Sequence, residues 1–330
     1  MNVLVTGGAG YIGSHTVKAL VEAGHHVVVF DDLSTGHRAS VAGVPFVQGD
    51  VTRREDLLDA LKRYSIDAVM HFAAKSLVGE SMQDPAKYYV NNVAGGVTLL
   101  EALREAGVET IIFSSTAAVY GEPESIPIPE EHPLRPTSVY GRTKLMFEQM
   151  LEDYRRVYGL RYAALRYFNA AGADPGGQIG EDHDPETHLI PIVLQAALGQ
   201  REAVTIFGTD YDTPDGTCIR DYIHVTDLAD AHVLALEALK AGGPGGVYNL
   251  GNGNGFSVRQ VIEAAERVVG AKIPVKEGDR RAGDPAVLVA SSEKARRELG
   301  WKPRFTDLDE IVRTAWQWHR SHPNGYARPS

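Results

Sequence analysis

Tyr140 and Lys144 stand four residues apart in the stretch Tyr140-Gly141-Arg142-Thr143-Lys144. On a helix that spacing puts both side chains on one face. A phenol with an ordinary pKa near 10 is a poor base at neutral pH. A neighbouring ammonium favours the phenolate, and a second positive charge close by pushes the same way. Lowering the phenol by roughly three pKa units takes about 4 kcal/mol of differential stabilisation, within reach of two cations in a partly dry cleft. The pair is the only Tyr-x-x-x-Lys in a chain with 14 tyrosines, and it follows a Ser114-Ser115-Thr116 run and a glycine loop at 7–13. Together these residues point to an enzyme that moves a hydride and a proton.

The loop reads Gly7-Gly8-Ala9-Gly10-Tyr11-Ile12-Gly13, a Gly-x-x-Gly-x-x-Gly spacing between an apolar run and an amphipathic one. In a strand–loop–helix context such glycines let the backbone approach a pyrophosphate, whose charge rests on the helix N-terminus. Asp31 closes the next apolar run, 18 residues after Gly13. A carboxylate there accepts from an adenosine ribose and repels a 2′-phosphate, so NAD is expected rather than NADP. Asp32 shares that position. Asp50 and Val51 follow the third strand, where Asp50 either touches the adenine or caps the next helix. Phe72-Ala73-Ala74 puts small residues beside a dinucleotide.

The elements that must hold these residues alternate. Candidate strands are Asn2–Thr6, His26–Asp31, Pro45–Gln48, Ala68–Phe72, Thr110–Ser114 and Tyr162–Arg166, separated by helices at Tyr11–Ala23, Arg53–Tyr64, Pro85–Ala106 and Ser138–Tyr158. Continuous apolar strands such as Val27-Val28-Val29-Phe30 suit a parallel sheet covered on both faces. Thr52 with Glu55 and Ser257 with Gln260 have capping-box spacing, Thr306 with Asp309 opens a last helix, and Gly24 and Gly107 are placed as helix stops. After Asn169 a Gly-, Asp- and Pro-rich stretch opens a second region with strands at Ala203–Phe207, Tyr222–Val225 and Val247–Leu250. The expected fold is α/β: a Rossmann-like doubly wound parallel sheet over residues 1–170, with a smaller C-terminal α/β substrate domain over 171–330. Residues 220–250 are expected to return to the first sheet.

With 43% hydrophobic and 23% charged residues the composition is that of an ordinary globular protein, and a net charge of −10 argues against nucleic-acid or membrane-surface partners. An anionic substrate then needs a local basic pocket. Cys218 is the only cysteine, which fits a reducing compartment and reads as a small buried residue. No leader pattern or bilayer-length apolar run is present, so a cytoplasmic location is expected. Asp182, His183, Asp184 and His188 match no standard metal-ligand spacing, and a solvated loop without metal is expected there.

The glycine loop, Phe113-Ser114-Ser115-Thr116-Ala117-Ala118-Val119-Tyr120-Gly121, the Tyr140–Lys144 motif and Arg166-Tyr167-Phe168-Asn169 together resemble the extended short-chain dehydrogenase/reductases. Asp215-Gly216-Thr217-Cys218-Ile219-Arg220-Asp221-Tyr222-Ile223-His224 is similar to the UDP-hexose 4-epimerases within that group, and the resemblance spans essentially the whole chain. It implies that Tyr140 is the acid/base on the sugar 4-hydroxyl. Lys144 then holds the nicotinamide ribose while lowering the phenol's pKa, and Thr116 hydrogen-bonds the same sugar oxygen. It implies cofactor contacts from Gly7, Gly10, Tyr11, Ile12, Gly13, Asp31, Asp32, Asp50, Val51, Phe72, Ala73, Asn91 and Tyr167. Substrate contacts follow at Asn169, His188, Leu189, Phe207, Arg220, Arg281 and Asp284, the arginines suiting a diphosphate. The helices at Pro85–Ala106 and Ser138–Tyr158 are implied to pair with a second copy as a homodimer.

Two positions depart from the pattern. His188 stands where many relatives have Asn, and Ser76 where some carry a lysine, Lys75 being one position early. The implied reaction interconverts UDP-galactose and UDP-glucose by transient oxidation at C4, because a stereocentre bearing only a hydroxyl has no acidic C–H to exchange. A 4,6-dehydratase on this scaffold needs an Asp-Glu pair where the chain has Ala117 and Ala118, neither able to transfer a proton. Leu288, intermediate in size between residues that exclude and admit an N-acetyl group, leaves sugar breadth open. A catalytically silent NAD sensor would lack the Tyr or the Lys, and both are intact.

Overall fold

Short β-branched runs bounded by glycine, and longer runs with apolar residues every three or four positions, become the strands and helices of a mostly alternating chain. The structure, a computed structural model, describes residues 1–281 and 283–326. Its first half runs β1 (Asn2–Thr6), α1 (Tyr11–Glu22), β2 (His26–Asp31), β3 (Phe46–Gln48), α2 (Arg54–Arg63), β4 (Ala68–His71), α3 (Val78–Gln83), α4 (Pro85–Tyr88), α5 (Gly95–Ala106), β5 (Thr110–Ser114), α6 (Val139–Tyr158) and β6 (Arg161–Tyr167). The second half continues β7 (Asn169–Ala171), α7 (Leu189–Ala197), β8 (Val204–Phe207), β9 (Ile219–His224), α8 (Val225–Lys240), β10 (Gly246–Leu250), β11 (Gly255–Ser257), α9 (Val258–Val269), β12 (Val275–Gly278), β13 (Val287–Leu288), α10 (Glu293–Leu299) and α11 (Leu308–Ser321).

Seven strands form the main sheet in the order β10-β6-β5-β4-β1-β2-β3. Every pairing in it is parallel. One face buries Val3, Val5, Val27 and Val29 against Val17 and Leu20 of α1 and Ala235 and Leu236 of α8. The other buries Leu4, Val28 and Ile111 against Leu57 of α2, Leu99 and Leu103 of α5, and Phe147 and Leu151 of α6. Each such side chain taken from water contributes about 1.5–3 kcal/mol, which is why these strands read as unbroken apolar runs. The strand order reverses between β1 and β4, so the loops at their carboxyl ends splay apart and open a crevice there.

A second sheet runs β11-β9-β13 with β7 beside β9, and β8 pairs with β12. Ile190 and Leu194 of α7, Val261 of α9 and Ile311 of α11 fill the core beside them. Expectation and structure differ in four places. Arg220–His224 stays in the second sheet as β9, and only α8 and β10 return to the main one. The helix expected over 85–106 is interrupted by a π-helical turn at Tyr89–Ala94. The Thr52–Glu55 box does not form, because the Thr52 amide and hydroxyl both donate to Asp50. The last helix is capped by Asp307, which accepts from the Glu310 amide, rather than by Thr306. The Ser257–Gln260 box forms as read, and Gly107 closes α5 at φ +72°.

Candidate active site

Helix α6 carries Tyr140 and Lys144 because it buries Lys144, Phe147, Glu148 and Leu151 on one stripe, the i, i+3, i+4 pattern of a core-facing helix. Ser138 caps it, accepting from the Gly141 amide at 3.0 Å, and Gly159 ends it in the left-handed region. The Tyr140 amide donates to Ser81 Oγ at 3.1 Å, which ties the first turn to α3. Thr116, just past β5, stands near the Tyr140 phenol and favours its charged form. Lys144 Nζ donates to the Ser114 carbonyl at 2.8 Å, 4.8 Å from the Phe113 ring centre and 5.9 Å from that of Tyr140. Tyr140 and Lys144, neighbours on α6, therefore meet Thr116, more than 20 residues earlier in the chain, at the carboxyl end of β5.

Burial sets their charges. It pushes the Tyr140 phenol up to about 12, with Thr116 pulling the other way. It pushes the Lys144 ammonium down to about 7, with Glu148 pulling it back up. The expected lowering of the phenol by Lys144 does not operate in the protein alone: burial raises the phenol and only Thr116 opposes it. A further positive charge in the crevice would reverse that balance.

The glycine loop joins β1 to α1. A Cβ on Gly7, at φ +72°, would fall 2.5 Å from the Ala73 nitrogen, and one on Gly13 would fall 2.2 Å from the Gly7 carbonyl oxygen. Those two glycines are demanded by the chain's own packing. Gly10 is not: its Cβ would meet only the Gly7 oxygen, at 3.4 Å, and its φ is an ordinary −78°. Gly10 is also the N-cap of α1 and offers no side-chain cap, and no acidic residue stands in the first turn. The amides of Tyr11, Ile12 and Gly13 thus head a helix whose positive end is open to an anion. Asp31 accepts from the Ala9 amide at 2.9 Å and the Leu33 amide at 2.8 Å, clamping this loop to the end of β2. Burial raises its pKa, and those two amides counter the shift. Asp32 is exposed and accepts from the Ser34 amide.

Asp50 spends one oxygen on Thr52, and Val51 is buried against the α2–α5 face. Phe72 and Ala73 lie under the glycine loop, as the Gly7 approach shows. Asn91 sits in the π turn and donates to Asn92 at 2.9 Å. Tyr167 hydrogen-bonds Ser114. Lys75 reaches across to Ser34 Oγ at 2.8 Å, beside the Asp31–Asp32 turn.

On the second sheet's side, Arg220 pairs with Asp284, and the Arg281 guanidinium lies 4.1 Å from the Phe207 ring centre. Cys218 is buried just before the strand that carries Arg220, and burial raises its thiol, with the Arg220 and Arg281 charges opposing the shift. Leu288 stands opposite Arg220 across the β13–β9 pairing. Leu189 begins α7 with His188 as its N-cap, and Asn169 begins β7. His188, which stands where many relatives have Asn, has its Nδ1 engaged by Glu181.

Several residues that shape the site carry no local signal. Asn92 accepts from the Lys75 amide at 2.9 Å and donates to the Lys75 carbonyl and to Thr143 Oγ1, both at 3.0 Å, pinning the β4 loop to α6. Glu148 takes Ser115 and a two-point contact from Arg166, whose Nη1 also reaches Tyr120 at 2.9 Å. Tyr120 passes the chain on to Asn249 of β10 at 2.6 Å. Arg166 was visible only as part of a motif; its buried partner is set by the fold.

A model of the NAD-dependent epimerase/dehydratase family matches residues 3–251. The chain belongs to that family. Among curated members it is 58% identical to a UDP-glucose 4-epimerase of Halalkalibacterium halodurans, an alignment covering 99% of this chain and 98% of that one. It is 54% identical to a UDP-glucose 4-epimerase of Lacticaseibacillus casei, with 99% of both covered. Among solved members, the Brucella ovis UDP-glucose 4-epimerase in complex with NAD superposes with a TM-score of 0.94 at 53% identity, over 96% of this chain and 97% of that one. The Bifidobacterium longum UDP-glucose 4-epimerase in complex with NAD+ and UDP gives 0.93 at 39% identity, over 99% and 100%. The doubly wound parallel sheet of the family is the sheet described above.

Proposed function

We propose that this chain interconverts UDP-galactose and UDP-glucose through a 4-keto sugar, with NAD retained through each cycle. The observation that carries the reading is the convergence of the Tyr140 phenol, Thr116 and Lys144 at the end of β5, across the crevice from the uncapped N-terminus of α1. NAD supplies a reversible hydride acceptor. The chain's own residues do the rest. The first-turn amides of α1 would hold the pyrophosphate, and Asp31 would take the adenosine ribose. Asp32, Asp50, Val51, Phe72, Ala73, Asn91 and Tyr167 border the dinucleotide.

Tyr140 takes the proton of the sugar 4-hydroxyl as the C4 hydride departs, and returns it when the hydride comes back to the other face. Thr116 holds that oxygen in line. Lys144 holds the nicotinamide ribose. The positive charge that arrives with the cofactor opposes the burial that otherwise keeps the phenol near 12. Arg220, Arg281 and Asp284, with Phe207, Leu189, His188 and Asn169, hold the UDP while the hexose turns. The division of labour follows the two sheets: residues 1–170 with 225–250 hold the cofactor and carry Thr116 and Tyr140, and the remainder of 171–330, with Asn169 of β7, holds the sugar nucleotide. Ala117 and Ala118, following Thr116, supply no group for eliminating water.

A second copy completes the proposal. Val90 and Val97 on the π turn and α5, with Met146 and Val157 on α6, are exposed apolar side chains on the two helices that would pair. Light scattering of the purified protein checks this, with a dimer mass expected. The deciding experiment is a proton NMR time course of UDP-galactose with purified protein and no added NAD. Growth of the UDP-glucose anomeric signal is expected. An unchanged spectrum, with NAD added as well, would sink the assignment.

A further inference from the structure

The loop ahead of α7 gathers four side chains that the reaction does not use as acids or bases, one of which, His188, is also assigned above to the UDP. Glu181, His183, Glu186 and His188 each turn one donor atom inward, and those atoms all lie within 4.8 Å of one another. Asp182 and Asp184, adjacent in sequence, are not members of the group. Asp182 turns the other way, accepting from the Tyr326 amide at 2.9 Å and facing His37 Nε2 at 3.3 Å. The Glu181 and Glu186 carboxylates are 3% and 2% exposed. Two buried carboxylates so close need two positive charges beside them. Two protonated imidazoles supply that charge, and so does one dication between neutral imidazoles.

We propose that Glu181, His183, Glu186 and His188 form a binding site for a divalent transition metal of the zinc class. Both imidazoles present Nδ1 toward the same oxygen of Glu181, His183 at 3.2 Å and His188 hydrogen-bonded to it, so three of the four donors already gather at one spot. Two nitrogens and two carboxylate oxygens suit Zn²⁺, Co²⁺ or Mn²⁺, whereas Mg²⁺ and Ca²⁺ prefer oxygen alone. With bonds of about 2.0–2.2 Å, neighbouring ligands of a tetrahedral ion sit about 3.5 Å apart. Reaching that spacing closes the widest pair by about 1 Å and parts the His188 and Glu181 donors, which hydrogen-bond each other while no ion lies between them.

The outer partners are in place. The Glu186 oxygen is held by the Thr187 and His188 amides at 2.8 and 2.9 Å. The His183 ring stands edge-on to Tyr11, 6.1 Å between centres. Tyr11 belongs to the glycine loop and donates to the Gly172 carbonyl at 2.5 Å. A metal here fastens the start of α7, with Leu189, to the cofactor loop.

The test uses untagged full-length protein stripped with a chelating resin, titrated with Co²⁺ and then Zn²⁺. One Co²⁺ per chain with visible ligand-field absorption is expected, displaced by Zn²⁺ and not by Mg²⁺. His183→Gln and Glu186→Gln should each weaken Zn²⁺ binding at least tenfold, while His26→Gln, an exposed histidine elsewhere, leaves it unchanged. His183 is the milder change, being 31% exposed at its side chain, and circular dichroism verifies its fold. Absence of stoichiometric binding, or binding that both variants retain, overturns the proposal and leaves a closed ion cluster of two histidines and two glutamates.

Discussion

Tyr140 is held protonated by its surroundings, so its substitution separates binding from chemistry. Tyr140→Phe should lower kcat by about 10²–10⁴-fold, the range for a lost general acid/base, while bound NAD, measured by its release on denaturation, is unchanged. Lys144 makes a different prediction, about pH. Its folded-state pKa is about 7 against 10.5 in an unfolded chain. Between those values the unfolded chain keeps a proton that the folded chain has released. The lysine's contribution to stability therefore rises with pH across that window and is lost as pH falls toward 7. Urea midpoints of cofactor-free protein at pH 7 and pH 9 should rise more in the wild type than in Lys144→Met. Equal rises in both would remove the burial argument.

The glycine loop and the catalytic helix are the elements on which the site stands, and they answer differently to mutation. Gly10→Ala should leave the melting temperature nearly unchanged and weaken NAD binding. Gly13→Ala should destabilise the fold itself, because its Cβ would lie 2.2 Å from the Gly7 oxygen. Calorimetry with and without NAD distinguishes the two. Arg166→Met leaves Glu148 buried without its partner and should cost about 3–5 kcal/mol by denaturant titration. What was legible in sequence follows the same division. Strands such as Val27–Phe30 and the Tyr140–Lys144 spacing announce themselves because period and local order carry them. The Asn92 bridge, the Glu148–Arg166 pair and the Asp307 cap did not. Their partners are tens of residues distant, or, at Asp307, one residue from the better-looking Thr306. The π turn at Tyr89–Ala94 was missed because its residues fit an ordinary helix equally well. Asp182, His183, Asp184 and His188 read as a solvated loop without metal, since only three dimensions show that Glu181 and Glu186, not the two aspartates, face the histidines.

At the scale of the whole molecule, the main sheet is completed out of order. Its edge strand β10 pairs with β6, but the chain first leaves to build β7, β8 and β9 of the other sheets. Helix α8, which covers Ile112, Ala163 and Leu165 of β5 and β6, is likewise supplied late. During translation the nascent first half therefore carries a bare strand edge and an uncovered apolar face until residue 250 has left the ribosome. Such edges recruit other chains. A chain stopped at residue 170, although it contains the glycine loop and Tyr140, is expected to aggregate when expressed alone. Its soluble fraction should recover when residues 225–250 are joined behind it through a flexible linker. Ribosome pausing between residues 170 and 250 would then be the point at which this protein most needs a chaperone.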